Sequence, residues 1–371
     1  MNATERTFAV GNDEVQLLRD GAQAFPAMLA AIAGARREIL LEMYWVGDDD
    51  CGRRFRDALA ERARHGVTVK VVVDAVGSLA LTPSFWMPLT ASGGAVSTYH
   101  PVRALVRKLD LARLDRRDHR KILVVDGEVG FLGGINLARH WLAFDDGGEG
   151  WRDDAVSLRG PAAAELRAVF FEAWRRAAEA RGPFPRVSAR QDGPVAIVAS
   201  GRTRRRSIRR EYLRRLRRAR ERIDIANSYF VPDVGLRGAL FRARARGVRV
   251  RVLVPMKSDV PLVQLASEAL FDRLVRRGIE VYAYPETILH AKTAIIDDVT
   301  TVGSYNFDER SFRKNLEANV FIDDRAFARH ARAWFEHDLA QAERIDLARW
   351  RERGVARRVG EALAFALRRL W

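Results

Sequence analysis

The stretch Arg117-Asp118-His119-Arg120-Lys121-Ile122-Leu123-Val124-Val125-Asp126-Gly127, closed by Phe131-Leu132-Gly133-Gly134-Ile135-Asn136, returns later in the chain as His290-Ala291-Lys292 with Asp297 and Gly303-Ser304-Tyr305-Asn306. Each copy spells H-x-K-x4-D in an apolar, β-branched context, which predicts a strand. Side chains two apart on a strand share a face, so His119 projects with Lys121 and His290 with Lys292. Asp126-Gly127 is a hairpin turn signal, and Glu128 to Leu132 returns as the partner strand, which brings Gly133, Gly134 and Asn136 back beside the histidine. Five residues separate Asp297 from Gly303 where six separate Asp126 from Gly133, so the second turn, around Asp297-Asp298, is shorter.

Longer stretches echo each other as well, as an internal duplication would produce. Ala35-Arg36-Arg37-Glu38-Ile39-Leu40-Leu41-Glu42-Met43-Tyr44-Trp45 corresponds to Ala219-Arg220-Glu221-Arg222-Ile223-Asp224-Ile225-Ala226-Asn227-Ser228-Tyr229, and Gly66 to Val73 corresponds to Gly247 to Val254. Periodicity predicts a helix over Ala27 to Arg37, a strand over Ile39 to Tyr44, a helix over Gly52 to Arg64 and a strand over Val67 to Val73. In the second copy Ile208, Tyr212, Leu216, Ala219 and Ile223 recur at helical spacing. Alternating helices and strands predict a layered α/β architecture with a mostly buried sheet in each half. The expected boundaries are 1–182 for the first half, a turn-rich linker at 183–194, 195–345 for the second half, and a basic amphipathic C-terminal helix over 346–371.

At 371 residues, 48% of them hydrophobic, the chain is long enough for two such cores. The formal charge of +16 favours polyanionic partners, either an anionic phospholipid surface or nucleic acid. With Cys51 as the sole cysteine, neither an intrachain disulfide nor a thiolate zinc cluster is possible, and a reducing, cytoplasmic setting is expected. The N-terminus lacks a signal-peptide pattern and no segment is apolar for the roughly 18 residues a membrane span requires, so membrane association is expected to be peripheral.

Two histidines with two lysines describe a phosphodiester chemistry that needs no metal or other cofactor. Phosphoryl transfer requires stabilisation of the phosphoryl oxygens, a nucleophile, and an acid for the departing alkoxide. Lys121, Lys292, Asn136 and Asn306 answer the first need, and glycines let backbone come close to a ligand, so Gly133, Gly134, Gly303 and Ser304 are candidates for a phosphate-binding loop. Imidazole answers the others, one copy acting as nucleophile while the other begins protonated. A nucleophilic imidazole also needs its second nitrogen fixed, so a carboxylate is expected behind each histidine. The candidates are Glu317 in the second half and Asp153 in the first, with Asp154 as the alternative to Asp153. Asp126 and Asp297, at the far ends of their strands, read as structural.

With these residues in view, the chain resembles the phospholipase D superfamily and, within it, bacterial cardiolipin synthases, over nearly all its length. The carrying segments are the two motif copies together with Tyr44-Trp45, Asp50-Cys51-Gly52, Trp151-Arg152-Asp153, Tyr229-Phe230-Val231-Pro232 and Asn306-Phe307-Asp308-Glu309-Arg310-Ser311-Phe312. The resemblance implies duplicated α-β-α domains related by pseudo-twofold symmetry, with both motifs at one active site between the halves. It further implies a phosphohistidine intermediate and transfer of a phosphatidyl group from phosphatidylglycerol to a second lipid alcohol, with release of glycerol. His119 would be the nucleophile and His290 the acid and then the base, although the near-symmetry of the two copies leaves that assignment open in the sequence. Many cardiolipin synthases carry N-terminal membrane spans, and none is expected here. Phospholipid hydrolysis and metal-independent cleavage of nucleic acid remain as alternative activities, with nucleic acid the weaker partner.

Two basic segments complete the sequence. Twelve arginines fall between Arg202 and Arg222, where the apolar spacing predicts a solvated helix face over a core stripe. In the tail, Val355, Val359, Leu363, Leu367 and Leu370 alternate with Arg357, Arg358, Arg368 and Arg369 and end in Trp371. That pattern fits either an interfacial helix or one packed on the body of the protein.

Overall fold

The computed structural model describes residues 6–102, 115–180, 193–200 and 207–368. Most of the expected linker, the start of the arginine run and the last three residues, Trp371 among them, lie outside the described residues. The chain forms two compact units. One comprises Met1–Gly201 with Val302–Ser304 and Asn315–Phe321, the other Arg202–Thr301 with Tyr305–Lys314 and Ile322–Trp371. This division departs from the expected boundaries at 182 and 195, because residues 195–201 and 315–321 belong with the first unit.

The first sheet contains β1 (Thr7–Val10), β2 (Asp13–Arg19), β3 (Glu38–Met43), β4 (Thr68–Asp74), β5 (Ala95–Tyr99), β6 (Lys121–Val125), β7 (Val129–Gly133) and β8 (Asp154–Arg159), in the order β1-β2-β8-β7-β6-β3-β4-β5. Its helices are α1 (Asp20–Ala33), α2 (Asp50–Arg64), α3 (Met87–Ala91) and α4 (Pro161–Ala177). Every residue of β6 and β7 is buried, as strands covered on both faces must be. Helix α2 starts where the Asp49 carboxylate accepts from the Gly52 N–H at 3.0 Å, and it buries Phe55, Leu59 and Ala63 along one face.

The second sheet contains β9 (Val195–Ala199), β10 (Arg222–Asn227), β11 (Arg249–Pro255), β12 (Glu280–Tyr284), β13 (Lys292–Ile296), β14 (Val299–Gly303), β15 (Ala318–Asp323) and β16 (Glu343–Arg344), in the order β16-β12-β11-β10-β13-β14-β15-β9. Its principal helices are α5 (Ser207–Arg218), α6 (Val234–Ala245), α7 (Pro261–Arg276), α8 (Glu309–Arg313), α9 (Arg325–Gln341), α10 (Leu347–Arg351) and α11 (Val355–Ala366). The duplication is visible in the orders themselves, since β5-β4-β3-β6-β7-β8 and β12-β11-β10-β13-β14-β15 are the same arrangement. In each, three parallel strands meet an antiparallel motif strand, with Met43 opposite Lys121 and Asn227 opposite Lys292. Each motif lysine therefore sits at the C-terminal edge of the parallel strands, where α/β sheets place their ligands.

The motif aspartates explain one boundary that the periodicity misplaced. Helix α1 ends at Ala33, not Arg37. The Asp126 carboxylate accepts from the N–H groups of Arg36, Arg37 and Glu38 at 2.9, 2.7 and 2.9 Å, which holds that segment out of the helix and at the start of β3. Asp297 does the same for Arg220, Glu221 and Arg222 at 2.9, 2.9 and 3.0 Å. Both adopt the left-handed backbone, with φ of 56° and 50°, a conformation for which aspartate is among the better-suited residues after glycine. Burial would raise the Asp126 carboxyl, but the three backbone donors outweigh it and hold the group below its ordinary value.

In the arginine-rich segment, α5 buries Ile208, Tyr212 and Leu216 of the expected stripe together with Leu213, whereas Ala219 lies past the end of the helix and Ile223 on β10. Arg209 pairs with Asp233 at 2.7 Å, and Arg215 with Glu211 and Asp323 at 2.8 Å each.

Candidate active site

In the first unit, strand alternation puts His119 and Lys121 on one side and Arg120 on the other, where Arg120 is fully buried against Glu42 at 2.7 Å and Asp118 at 3.2 Å. The segment before His119 is pinned twice. His119 N–H donates to the Leu316 carbonyl at 3.0 Å and Leu316 N–H to the Arg117 carbonyl at 2.9 Å, while Asp118 N–H donates to the Asp74 carboxylate at 2.9 Å. Asp74 closes β4, is fully buried, and also accepts from Val76 and Gly77 N–H. Burial pushes its carboxyl up to about 6 against the opposing pull of Arg117 and these backbone donors.

Behind His119 lies Glu317, with Oε2 at 3.1 Å from Nδ1. Glu317 is inaccessible to solvent and is gripped by the Ser304 hydroxyl at Oε2 and by Asn315 Nδ2 at Oε1, 3.3 Å away. Burial alone would raise this carboxyl. The neighbouring His119, Lys121 and Ser304 more than offset that and hold it below the ordinary glutamate value, so it is ionised at neutral pH. The sequence reading assigned Glu317 to the half that contains His290. The structure instead places it against the histidine of the other motif copy, because residues 315–321 form part of the first unit.

Asp153 is fully buried and accepts from Trp141 Nε1 at 2.9 Å and from Asp154 N–H at 2.8 Å. Asp154 is instead paired with Arg152 at 2.7 Å. Asp153 also matches Glu317 in position within the repeat. A Cβ on Gly134 would meet the Asp153 carboxylate at 2.2 Å, and Ser304, the counterpart of Gly134, bonds to Glu317.

This crowding also revises the phosphate-loop expectation. Gly134 N–H donates to the Asp154 carbonyl at 3.0 Å and Ser304 N–H to the Ala318 carbonyl at 2.9 Å, so neither is directed at a ligand. Gly133 pairs with Ala155 in the ladder, and a Cβ there would meet the Asp154 carbonyl at 2.4 Å; at Gly303 it would meet the Ala318 carbonyl at 2.3 Å. These glycines are required by close packing on the neighbouring strand. Ser304 serves as a partner of Glu317.

The side-chain oxygens of both asparagines are engaged within the protein. Asn136 Oδ1 accepts from Trp45 N–H at 3.1 Å, and Asn306 Oδ1 accepts from the Ser228 hydroxyl at 2.8 Å. Their amide N–H groups make no hydrogen bond among the described residues and remain available as donors.

In the second unit His290 and Lys292 are both buried. Lys292 Nζ lies 2.9 Å from His290 Nδ1, 3.1 Å from Nε2 and 3.2 Å from the Ser228 hydroxyl, and it donates to the His290 carbonyl. The two lysines differ in their surroundings. Lys121 Nζ sits 4.9 Å from the centre of the Tyr44 ring, a cation–π contact, where the repeat-equivalent residue in the other copy is Ser228. The Tyr44 ring also meets His119 edge-on at 4.8 Å. Sequence reasoning did not single out Asp74, Tyr44 or Ser228 as site residues, although Tyr44 and Ser228 stand at matched positions in the duplicated stretches. Among the described residues, no group of three or more His, Cys, Asp or Glu is arranged to hold a metal ion.

The profile of the family described as "Cardiolipin synthase, PLD-like domain" matches residues 28–171 and 212–339, one match over each half. The chain belongs to the phospholipase D-like cardiolipin synthase family. It is 35% identical to "Probable cardiolipin synthase YwiE" of Bacillus subtilis, over 94% of this chain and 71% of that protein. It is 36% identical to "Cardiolipin synthase A" of Pseudomonas aeruginosa, over 91% of this chain and 69% of that one. Among solved structures, the phosphatidylserine synthase of Haemophilus influenzae superposes with a TM-score of 0.71 at 14% identity, covering 99% of this chain and 96% of that chain, which establishes a shared fold. Among the described residues, no helix is long and apolar enough to cross a membrane.

Proposed function

We propose that the protein is a phosphatidyltransferase that makes cardiolipin from phosphatidylglycerol and a second phospholipid alcohol. The observation that carries this is the His119–Glu317 pair with Lys121 two residues on, in a chain whose two halves each match the family profile. With Nδ1 held by a buried carboxylate, His119 presents Nε2 as a nucleophile, the arrangement that orients catalytic imidazoles generally. Nε2 attacks phosphorus, the bond to the glycerol headgroup oxygen breaks, and His290 supplies the proton that frees glycerol. His290 then takes the proton of the acceptor hydroxyl, whose oxygen attacks phosphorus, breaks the P–N bond and restores His119. Lys121 and Lys292, with the amides of Asn136 and Asn306, neutralise charge on the non-bridging oxygens. With Glu317 behind His119, Asp153, expected from the sequence in that place, is proposed instead as a buried positioning residue that accepts from Trp141 Nε1 and the Asp154 N–H. The enzyme works as a peripheral protein on the inner face of the cell membrane, with an anionic phospholipid surface as its partner.

The test is product analysis from defined vesicles. Cardiolipin and free glycerol in equal amounts from phosphatidylglycerol, abolished in His119→Ala and His290→Ala, are expected. Phosphatidic acid as the main product would replace transfer by hydrolysis, and cleavage of DNA without turnover of lipid would overturn the proposal.

A further inference from the structure

Helix α11 faces the opposite way from an ordinary surface helix. Its buried residues are Glu361 and Ala364, whereas Val355, Val359, Leu363 and Leu367 are 74%, 53%, 59% and 46% exposed. The inward flank is held by ion pairs. Arg353 pairs with Glu361 at 2.8 Å, and Arg357 reaches across to Glu268 of α7 at 2.8 Å. The remaining apolar stripe, spaced at four residues, turns outward, where a surface helix normally carries its polar side.

The stripe does not stand alone. Arg351 pairs with Asp272 and Arg357 with Glu268, so α11 and its lead-in run antiparallel to α7, and the C-terminal end of α11 approaches the start of α7. Val260 and Leu262 are exposed at that start. The Phe365 ring lies 5.6 Å from the guanidinium of Arg237, which donates to the Pro232 carbonyl and so ties the helix end to the beginning of α6, where Val234 is 68% exposed. Helices α6 and α7 follow the C-terminal ends of β10 and β11, the edge at which Lys292 pairs with Asn227. Within the second unit, Val234, Val260 and Leu262 thus lie toward the edge that carries His290 and Lys292, and the stripe of α11 runs toward that edge with its Leu367 end.

We propose that the outward stripe of α11, with Val234, Val260 and Leu262, is the surface by which this unit docks on an anionic phospholipid bilayer, the apolar side chains entering the interface and the flanking arginines meeting lipid phosphates. It rests on the proposed function only for the identity of the lipid. The net charge of +16 is complementary to such a surface, and basic residues flanking an apolar stripe are the usual makeup of interfacial helices. A second copy of the chain fits less well. Twelve residues of helix span about 18 Å. A stripe about 10 Å wide along that length offers roughly 200 Å², far below the roughly 800 Å² per partner of a stable protein interface.

The experiment compares the full chain with a Val359→Ser/Leu363→Ser double variant in sedimentation with phosphatidylglycerol-containing vesicles. Light scattering of both proteins and turnover of a short-chain phosphatidylglycerol dissolved as monomers accompany it. The expected result is at least about tenfold weaker vesicle partitioning in the variant, with unchanged turnover of the monomeric lipid. Equal vesicle binding by the two proteins overturns the proposal, as does a wild-type dimer that the double substitution dissolves. Because binding is read without turnover, weaker binding of the variant in a preparation that makes no cardiolipin would support this surface while refuting the proposed reaction.

Discussion

Replacing Glu317 by glutamine separates the charge behind His119 from the shape that holds it. Two unit charges at the observed 3.1 Å interact by about 5 kcal/mol in an effective dielectric of about 20. Glutamine retains the volume and a hydrogen-bonding oxygen, so a loss of about 3–4 kcal/mol of transition-state stabilisation is expected, about 10²–10³ in kcat. KM should change little, since Glu317 is fully buried behind the imidazole and has no surface to offer substrate. Stability at neutral pH should fall as well, because the attraction of His119 and Lys121 for the buried carboxylate outweighs its desolvation cost and glutamine forgoes it. The Glu317 carboxyl lies below its ordinary value, so its charge contributes stability above the normal glutamate range and loses it only as pH falls through the lowered value. Near neutrality the difference between the two proteins should therefore be independent of pH. Initial rates of glycerol release from phosphatidylglycerol, beside urea unfolding of both proteins, supply both readouts. A folded Glu317→Gln protein within about threefold of wild-type kcat, or one impaired in KM alone, would refute the reasoning.

Three further outcomes follow from the same structure. Asp126→Ala and Asp297→Ala each remove an acceptor of three backbone N–H groups and should each cost about 2–3 kcal/mol in urea unfolding, with activity per folded molecule nearly retained; a specific loss of kcat in either would give the motif aspartates a chemical role. Asp74 titrates near 6 in the native state against 3.8 ordinarily, so the stability it confers when protonated is fully present below about pH 4 and lost as pH rises through about 6. Relative to Asp74→Asn, wild type should lose about 3 kcal/mol across that interval, and a pH-independent difference between the two would contradict the raised value. Gly134→Ala places a Cβ within 2.2 Å of the Asp153 carboxylate and should destabilise the fold by at least about 2 kcal/mol in the same unfolding assay; a neutral result would show that this approach is looser than the packing indicates.

The architecture was legible because its signals are local. Continuous β-branched apolar runs, a turn at each motif aspartate and two matched copies suffice to place His119 with Lys121 and His290 with Lys292 on duplicated sheets. Pairings that depend on where a distant segment folds were not. Nothing in Ser311 to Glu317 says that this carboxylate serves the histidine of the other copy, since repeat equivalence argues for the opposite. The glycines were misread for a related reason, as the strand that crowds Gly133 and Gly134 lies some twenty residues further on. In α11 the apolar spacing reveals two faces, but only the pairing of Arg353 and Arg357 with Glu361 and Glu268 decides which face turns inward. The motif aspartates were readable as structural from their position at the strand ends, whereas their partners, the N–H groups that begin β3 and β10, became visible only in the fold.

The central claim is that His119 carries the phosphatidyl group, and trapping that intermediate tests it most directly. Labelled phosphatidylglycerol, mixed with enzyme, quenched under conditions that preserve phosphoramidates and digested for mass spectrometry, should place the label on the peptide containing His119. The label should be absent from His119→Ala and, because His290 serves both half-reactions, should both form and decay slowly in His290→Ala. Label on the His290 peptide, or cardiolipin formed by a protein that carries no label on either histidine, would contradict the account.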